Sequence, residues 1–230
     1  YYTTDVVSIH EAYPGHYLQF IHLNASSANR LRKILTSYAF VEGWAHYTEK
    51  MALDEGFGLN NYAAPTSADR LRAAKYRLAQ SDEALLRLCR LCSSIGLHCQ
   101  GWSVEQATKF FEDNCYYEPK PARQEAIRGT FDPGYLYYTL GKLQILKLRR
   151  DWQAQEDAAY SLQRFHDEML RHGALALQLM LNRGGGADAV GVGVVRQRQP
   201  LDARDRVRGH RGVVPRPAAV GRARRCCRPP

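Results

Sequence analysis

Between Asp69 and Cys99 the apolar residues keep a helical rhythm. Leu71, Ala74, Leu78, Leu85, Leu88, Cys92, Ile95 and Cys99 recur at steps of three, four and seven, with Arg70, Arg77 and Arg87 among the positions between. A pattern this long excludes a strand, and its apolar stripe should face a core. Cys92 and Cys99 lie on the stripe, so they read as small buried hydrophobes rather than as a redox or zinc pair built on Cys89 and Cys92. The rest of the chain repeats the theme. Thr36 to Leu53 reads as helix. Ser103-Val104-Glu105-Gln106 fits a capping box and should start a helix that runs to about Asn114. Pro119 and Pro121 interrupt the chain next. A helix carrying Leu136, Leu140, Leu143, Ile145, Leu146 and Leu148 should follow Pro133, and another should span roughly Glu156 to Arg171. With no alternating strand pattern and no internal repeat, the fold class is mainly α.

The net charge of +9 suggests a polyanion binder until it is localised. Residues 1–182 carry 20 Lys+Arg and 20 Asp+Glu, whereas residues 183–230 carry 12 Arg, no Lys and 3 Asp. No Phe, Trp or Tyr follows Phe165. The chain therefore reads as a helical part over 1–182 and an Arg/Gly/Pro-rich tail over 183–230. Such a tail has little large apolar surface to offset chain entropy, which predicts disorder. Arg without Lys, among Gly, Ala, Pro and Val, is also what GC-rich DNA yields out of frame, and that reading is favoured over a basic arm for nucleic acid. No apolar run approaches the roughly 18 residues of a membrane span. The start, Tyr1-Tyr2-Thr3-Thr4-Asp5, lacks a Met and a signal-like pattern, so the chain is expected to continue a longer protein.

Chemistry gathers at the front, in His10-Glu11-Ala12-Tyr13-Pro14-Gly15-His16. Two neutral imidazoles can hold zinc, and the adjacent Glu11 carboxylate can take a proton from water. The usual spacing is four residues on one helix face. Here it is six, which on an unbroken helix sets the two rings about 120° apart. Pro14 and Gly15 can break the helix and return His16 to His10. A third ligand is needed. Glu42, in Val41-Glu42-Gly43-Trp44-Ala45-His46, falls on a helix with apolar and aromatic neighbours, where a metal would resolve the cost of burying a carboxylate. His46, one turn on, is the alternative ligand, and Glu49 can support a ligand imidazole. Paired His at this spacing also occur as surface or hydrogen-bonded core residues.

The His10–Gln19 run resembles the His-Glu-Ala-x-Pro-Gly-His signature of the bacterial family known as domain of unknown function 885 (DUF885), and Glu42-Gly43-Trp44-Ala45 resembles its second element. Gly96-Leu97-His98, Gly101-Trp102-Ser103, Glu118–Glu125, Arg128–Pro133, Tyr138–Lys142, Phe165-His166-Asp167 and His172-Gly173-Ala174 follow in family order. The resemblance implies a helical, zincin-like metallopeptidase domain with Zn2+ on His10, His16 and Glu42, and Glu11 as base. It also implies that His98, Arg128 and Tyr138 line the site, suited to an anionic substrate end or an oxyanion. Each has a structural alternative: a hydrogen-bonded core histidine for His98, an ion pair with Glu125 or Asp132 for Arg128, and a core aromatic beside Tyr135 and Tyr137 for Tyr138.

Family members are longer, with a helical region before the His-Glu motif. The chain thus resembles the C-terminal catalytic part, truncated in front. The expected activity is zinc-dependent peptide hydrolysis. The rival expectations are an inactive fragment or a basic-tailed polyanion binder. The expected partner is a peptide substrate, with no specific nucleic acid, and the full-length form is expected to be exported or periplasmic.

Overall fold

The computed structural model describes residues 1–27 and 29–171, without the side chain of Arg32. The tail at 183–230 with Cys226-Cys227, and the His172-Gly173-Ala174 stretch, lie outside the described residues. Helices are α1 (Tyr2–Glu11), α2 (His16–Ala25), α3 (Arg30–Ile34), α4 (Tyr38–Asp54), α5 (Ser67–Cys99), α6 (Val104–Cys115), α7 (Pro119–Phe131), α8 (Tyr137–Glu156) and α9 (Leu162–Arg171). Short 3-10 turns at Pro133–Leu136 and Asp157–Ala159 flank α8. No strand occurs among the described residues.

Local chemistry sets most of the helix starts. The Ser103 hydroxyl accepts from Gln106 N while the Gln106 side chain accepts from Ser103 N, which closes the expected capping box on α6. Thr66 and Asp69 make the same exchange ahead of α5. The prolines after Asn114 do not simply interrupt the chain. Pro119 opens α7, because the first helical residue needs no N–H partner and the ring presets its φ. The expected helix over Glu156–Arg171 is divided: α8 ends at Glu156, Asp157 turns the chain with φ of 44°, and α9 starts six residues later.

Three cores organise these elements, the smallest being Val6 of α1, Leu53 of α4 and Tyr76 of α5. In the first, Phe40, Trp44 and Tyr47 of α4 pack with Ile145, Leu148 and Trp152 of α8 and with Phe165, Met169 and Leu170 of α9. In the second, Leu86 and Cys89 of α5 meet Phe111 and Cys115 of α6 and Ala122 of α7. Here the cysteine expectation is corrected: Cys89 and Cys115 are buried, and Cys92 and Cys99 are exposed. The same correction applies to the whole stripe of α5. Leu71, Leu78, Leu88 and Ile95 are exposed, while Gln80, Arg87, Arg90, Ser93 and Ser94 are buried. The polar face turns inward because Gln80, Arg87 and Arg90 find carboxylates there and Ser94 a backbone carbonyl, which offsets their desolvation.

The third helix of the first core is held by a polar pair. Arg149 Nη1 donates to the Tyr47 hydroxyl at 3.1 Å, leaving the Tyr47 O–H to donate to His166 Nε2 at 2.8 Å. An accepting imidazole must be neutral. Burial, with Arg149 nearby, lowers the His166 pKa to about 4. Unfolded, it titrates near 6.5. Between those values the unfolded chain takes up a proton that the fold refuses, so stability is lost as pH falls from about 6.5 towards about 4. Melting temperatures of the protein and of His166→Gln, compared at pH 7 and 5, should show a smaller acid loss in the variant. An equal loss in both would remove His166 as a contributor.

Candidate metal centre

His10 sits in the last turn of α1, and His16 opens α2. Between them the chain turns through a cis Tyr13–Pro14 peptide. Gly15 N donates to Ile9 O at 3.0 Å, and Trp44 Nε1 donates to Pro14 O at 3.0 Å, which pins the turn to α4. A Cβ on Gly15 would lie 1.8 Å from the His10 carbonyl oxygen, so only glycine lets the chain close this tightly. The break at Pro14-Gly15 brings the two rings edge to face, with centroids 4.8 Å apart.

Glu42 completes the group from α4. Its Oε2 lies 3.4 Å from His10 Nε2 and 3.4 Å from His16 Nε2. One ligand atom from each of the three residues falls within 4.8 Å of the others. Tetrahedral zinc, with ligand bonds of about 2.1 Å, separates its ligand atoms by about 3.4 Å. Glu42 Oε2 is buried yet has no hydrogen-bond partner. Burial alone would raise the Glu42 pKa, but the two imidazoles outweigh it and hold the carboxyl at about 2. An anionic, orphaned oxygen between two imidazole nitrogens fits a divalent cation.

Behind His10 lies a second carboxylate. Glu49 is fully buried, and its Oε1 is 2.7 Å from His10 Nδ1. With Nδ1–H donating there, Nε2 keeps its lone pair for the group with Glu42, the tautomer a metal needs. Glu49 also accepts from His46 Nδ1 at 3.0 Å and Gln80 Nε2 at 3.4 Å, and Arg87 Nη2 stands 3.2 Å away. Burial favours the neutral acid, but these imidazoles and Arg87 hold Glu49 far below the usual carboxylate range. For His10, burial lowers the pKa, and the two carboxylates more than reverse it.

His46 is not the third ligand. Its Nδ1 is committed to Glu49 and its Nε2 accepts from Lys142 Nζ at 3.3 Å. Burial lowers the His46 pKa to about 4 and that of Lys142 to about 8.

The other expected residues divide. Glu11 ends α1, exposed, beside His10 and the turn. The Tyr138 ring stacks on His10 at 6.2 Å and is half-buried rather than core; Tyr135 takes the fully buried place. The Tyr38 ring meets that of Tyr138 edge to face with centroids 5.8 Å apart, and the guanidinium groups of Arg87 and Arg90 lie 5.6 and 5.7 Å from the Tyr138 ring centre. Arg128 pairs with Asp132 at 3.1 Å, and Glu125 goes to Arg90 instead. His98 Nε2 donates to Gly129 O at 2.8 Å, which ties α5 to α7. No hydrogen bond, ion pair or ring contact links it to the three ligands among the described residues. Sequence reasoning missed Gln80, Arg87, Lys142 and Tyr38. Only the buried polar face of α5 could have signalled the first two.

A cavity of about 500 Å³ opens on the turn, lined by Tyr13, Pro14, Leu18, Trp44, His166 and Leu170 among others; none of the three ligand side chains lines it.

The family described as "Bacterial protein of unknown function (DUF885)" matches residues 1–183. The chain belongs to this family. Two solved structures resemble this DUF885 chain. One is described as a "putative lipoprotein of unknown function" from Shewanella oneidensis, with 27% identity and a TM-score of 0.66, covering 79% of this chain and 32% of that one. The other, a "putative lipoprotein" from Colwellia psychrerythraea, has 29% identity and a TM-score of 0.68, covering 77% of this chain and 29% of that one. The DUF885 chain thus spans about a third of the length of these relatives. No curated protein matches it. None of its described helices is long and apolar enough to cross a membrane.

Proposed function

We propose that this DUF885 chain carries a zinc-dependent peptidase centre. The observation that carries the reading is the orphaned Glu42 Oε2, set 3.4 Å from both imidazole nitrogens, with His10 held in the ligating tautomer by Glu49. His10, His16 and Glu42 would hold the metal, three protein ligands with a position left open, as in catalytic rather than structural zinc sites. When bound, zinc supplies Lewis-acid polarisation of a carbonyl and lowers the pKa of water towards neutrality.

The chain's own groups do the rest. Glu11 accepts a proton from the attacking water and returns it to the leaving amine nitrogen. Tyr138, whose ring stacks on His10, would donate its hydroxyl proton in a hydrogen bond to the oxygen that gains charge. Arg128 suits an anionic substrate end. His98 is given no step in this scheme; its Nε2 is hydrogen-bonded to Gly129 O. The description of both relatives as lipoproteins favours an exported form of this protein.

Metal analysis of the purified protein should find one zinc per chain, and His16→Ala should lose it, with metal affinity down by about a hundredfold or more. Zinc retained by His16→Ala would defeat the ligand set. Zinc bound without cleavage of any peptide in a mixed library would leave a metal-binding protein and defeat the peptidase reading.

A further inference from the structure

The outer face of α5 is built to receive something. Leu71, Leu78, Leu85 and Cys92 repeat every seven residues, and Ala74, Ser81, Leu88 and Ile95 fall on the interleaved positions, the a and d places of a heptad with Ser81 its one hydroxyl. The seam runs about 40 Å along the helix. Its ends are exposed, Leu71 by 60%, Leu78 by 73%, Leu88 by 48% and Ile95 by 41%, while Leu85 between them is half-buried against the second core. The opposite face, with Gln80, Arg87 and Arg90, is the one that packs inward. An exposed apolar stripe of this length marks an interaction surface. A repeat of 3.5 residues matches another helix, because only a helix offers holes at that spacing.

The two solved relatives carry about two-thirds of their length outside the part that this chain matches. We propose that the α5 seam is the seat of a helix from that remaining part of the family fold. The inference does not depend on the zinc peptidase reading.

Cys92 provides the readout, since it lies in the seam and is exposed. This chain is co-expressed with the remaining region of the Shewanella oneidensis relative, and N-ethylmaleimide labelling of Cys92 is followed by peptide mass spectrometry. In the chain alone Cys92 should react as an open thiol. Beside the added region its labelling should slow roughly tenfold or more. Leu78→Glu with Leu88→Glu should restore the fast rate without changing the melting temperature of the chain alone, because both side chains face solvent there. Labelling unchanged by the added region, or protection that survives the double substitution, overturns the proposal. So does protection in the chain alone that rises with concentration and tracks a dimer in light scattering, since a second copy would then be the occupant. Should the separated region fail to fold, the intact relative decides: a cysteine placed at its position equivalent to Cys92 should be protected, and an accessible thiol there overturns the proposal.

Discussion

Glu11→Gln should keep its zinc and lose its peptidase activity. The carboxylate is exposed at the end of α1 and lies outside the three-residue ligand group, so the amide should disturb neither fold nor metal content. What it removes is the proton acceptor. A positioned general base contributes about 10²- to 10⁴-fold, so kcat should fall by that much or more, with zinc still near one per chain. The pair of measurements matters more than either alone. His16→Ala loses activity through loss of metal, whereas Glu11→Gln loses it with metal in place. Turnover by Glu11→Gln at the unsubstituted rate would remove Glu11 as the base and leave the ligand set standing.

How much of this was legible beforehand varies with the kind of signal. The capping box at Ser103 and Gln106 marked the start of α6 to the residue, because cap chemistry is local. The start of α4 was close, Tyr38 against the expected Thr36. The turn at Pro14-Gly15 was legible for the same reason: a six-residue spacing brings two imidazoles together only if the helix breaks, and the residues that break helices stand between them. The orientation of α5 was not legible. Periodicity finds a helix and its apolar stripe, but it does not say which face other elements cover. Here Arg87 and Arg90 turn inward because Glu49 and Glu125, distant in sequence, receive them. The misplaced Cys92 and Cys99 follow from that one error. Glu42 was preferred to His46 from the sequence, but setting His46 aside needed the same non-local knowledge, since both lie on α4 and only the fold shows His46 hydrogen-bonded to Glu49 and Lys142. Arg128 and Tyr138 entered through family resemblance alone, and the stacking of Tyr138 on His10 follows from α1 and α8 both packing on α4 and α5.

Gly141→Ala is expected to be among the most damaging single methyls that the described residues could receive. α4 and α8 cross with their backbones in contact: a Cβ on Gly141 would meet Ala39 O at 1.8 Å, and one on Gly43 would meet Gly141 C at 2.5 Å. Neither obstacle is the end of a flexible side chain, so the helices must separate. Separation loosens Trp44 and Tyr47 against Ile145 and Leu148, which costs packing along the whole interface. Overpacking commonly costs about 1–3 kcal/mol, and a backbone-to-backbone clash belongs at or above the upper end. A loss of about 3 kcal/mol should lower Tm by roughly 6–12 °C in a domain of this size. The metal centre should suffer beyond the stability loss, because Glu42 precedes Gly43 and any shift of α4 moves its Oε2 away from the nitrogens of His10 and His16. Zinc affinity measured below the variant's melting range should therefore also fall. Gly101→Ala is the control. Gly101 has φ of +70° and nothing within 4 Å of its would-be Cβ, so the alanine should cost only about 1–2 kcal/mol of backbone strain and leave zinc affinity alone. If the two variants melted alike and both kept their zinc, the position of Glu42 would not depend on the α4–α8 crossing. A larger Tm loss with weakened zinc in Gly141→Ala alone would tie the site to that crossing, making the backbone contact of α4 and α8 the feature that sets Glu42 beside His10 and His16.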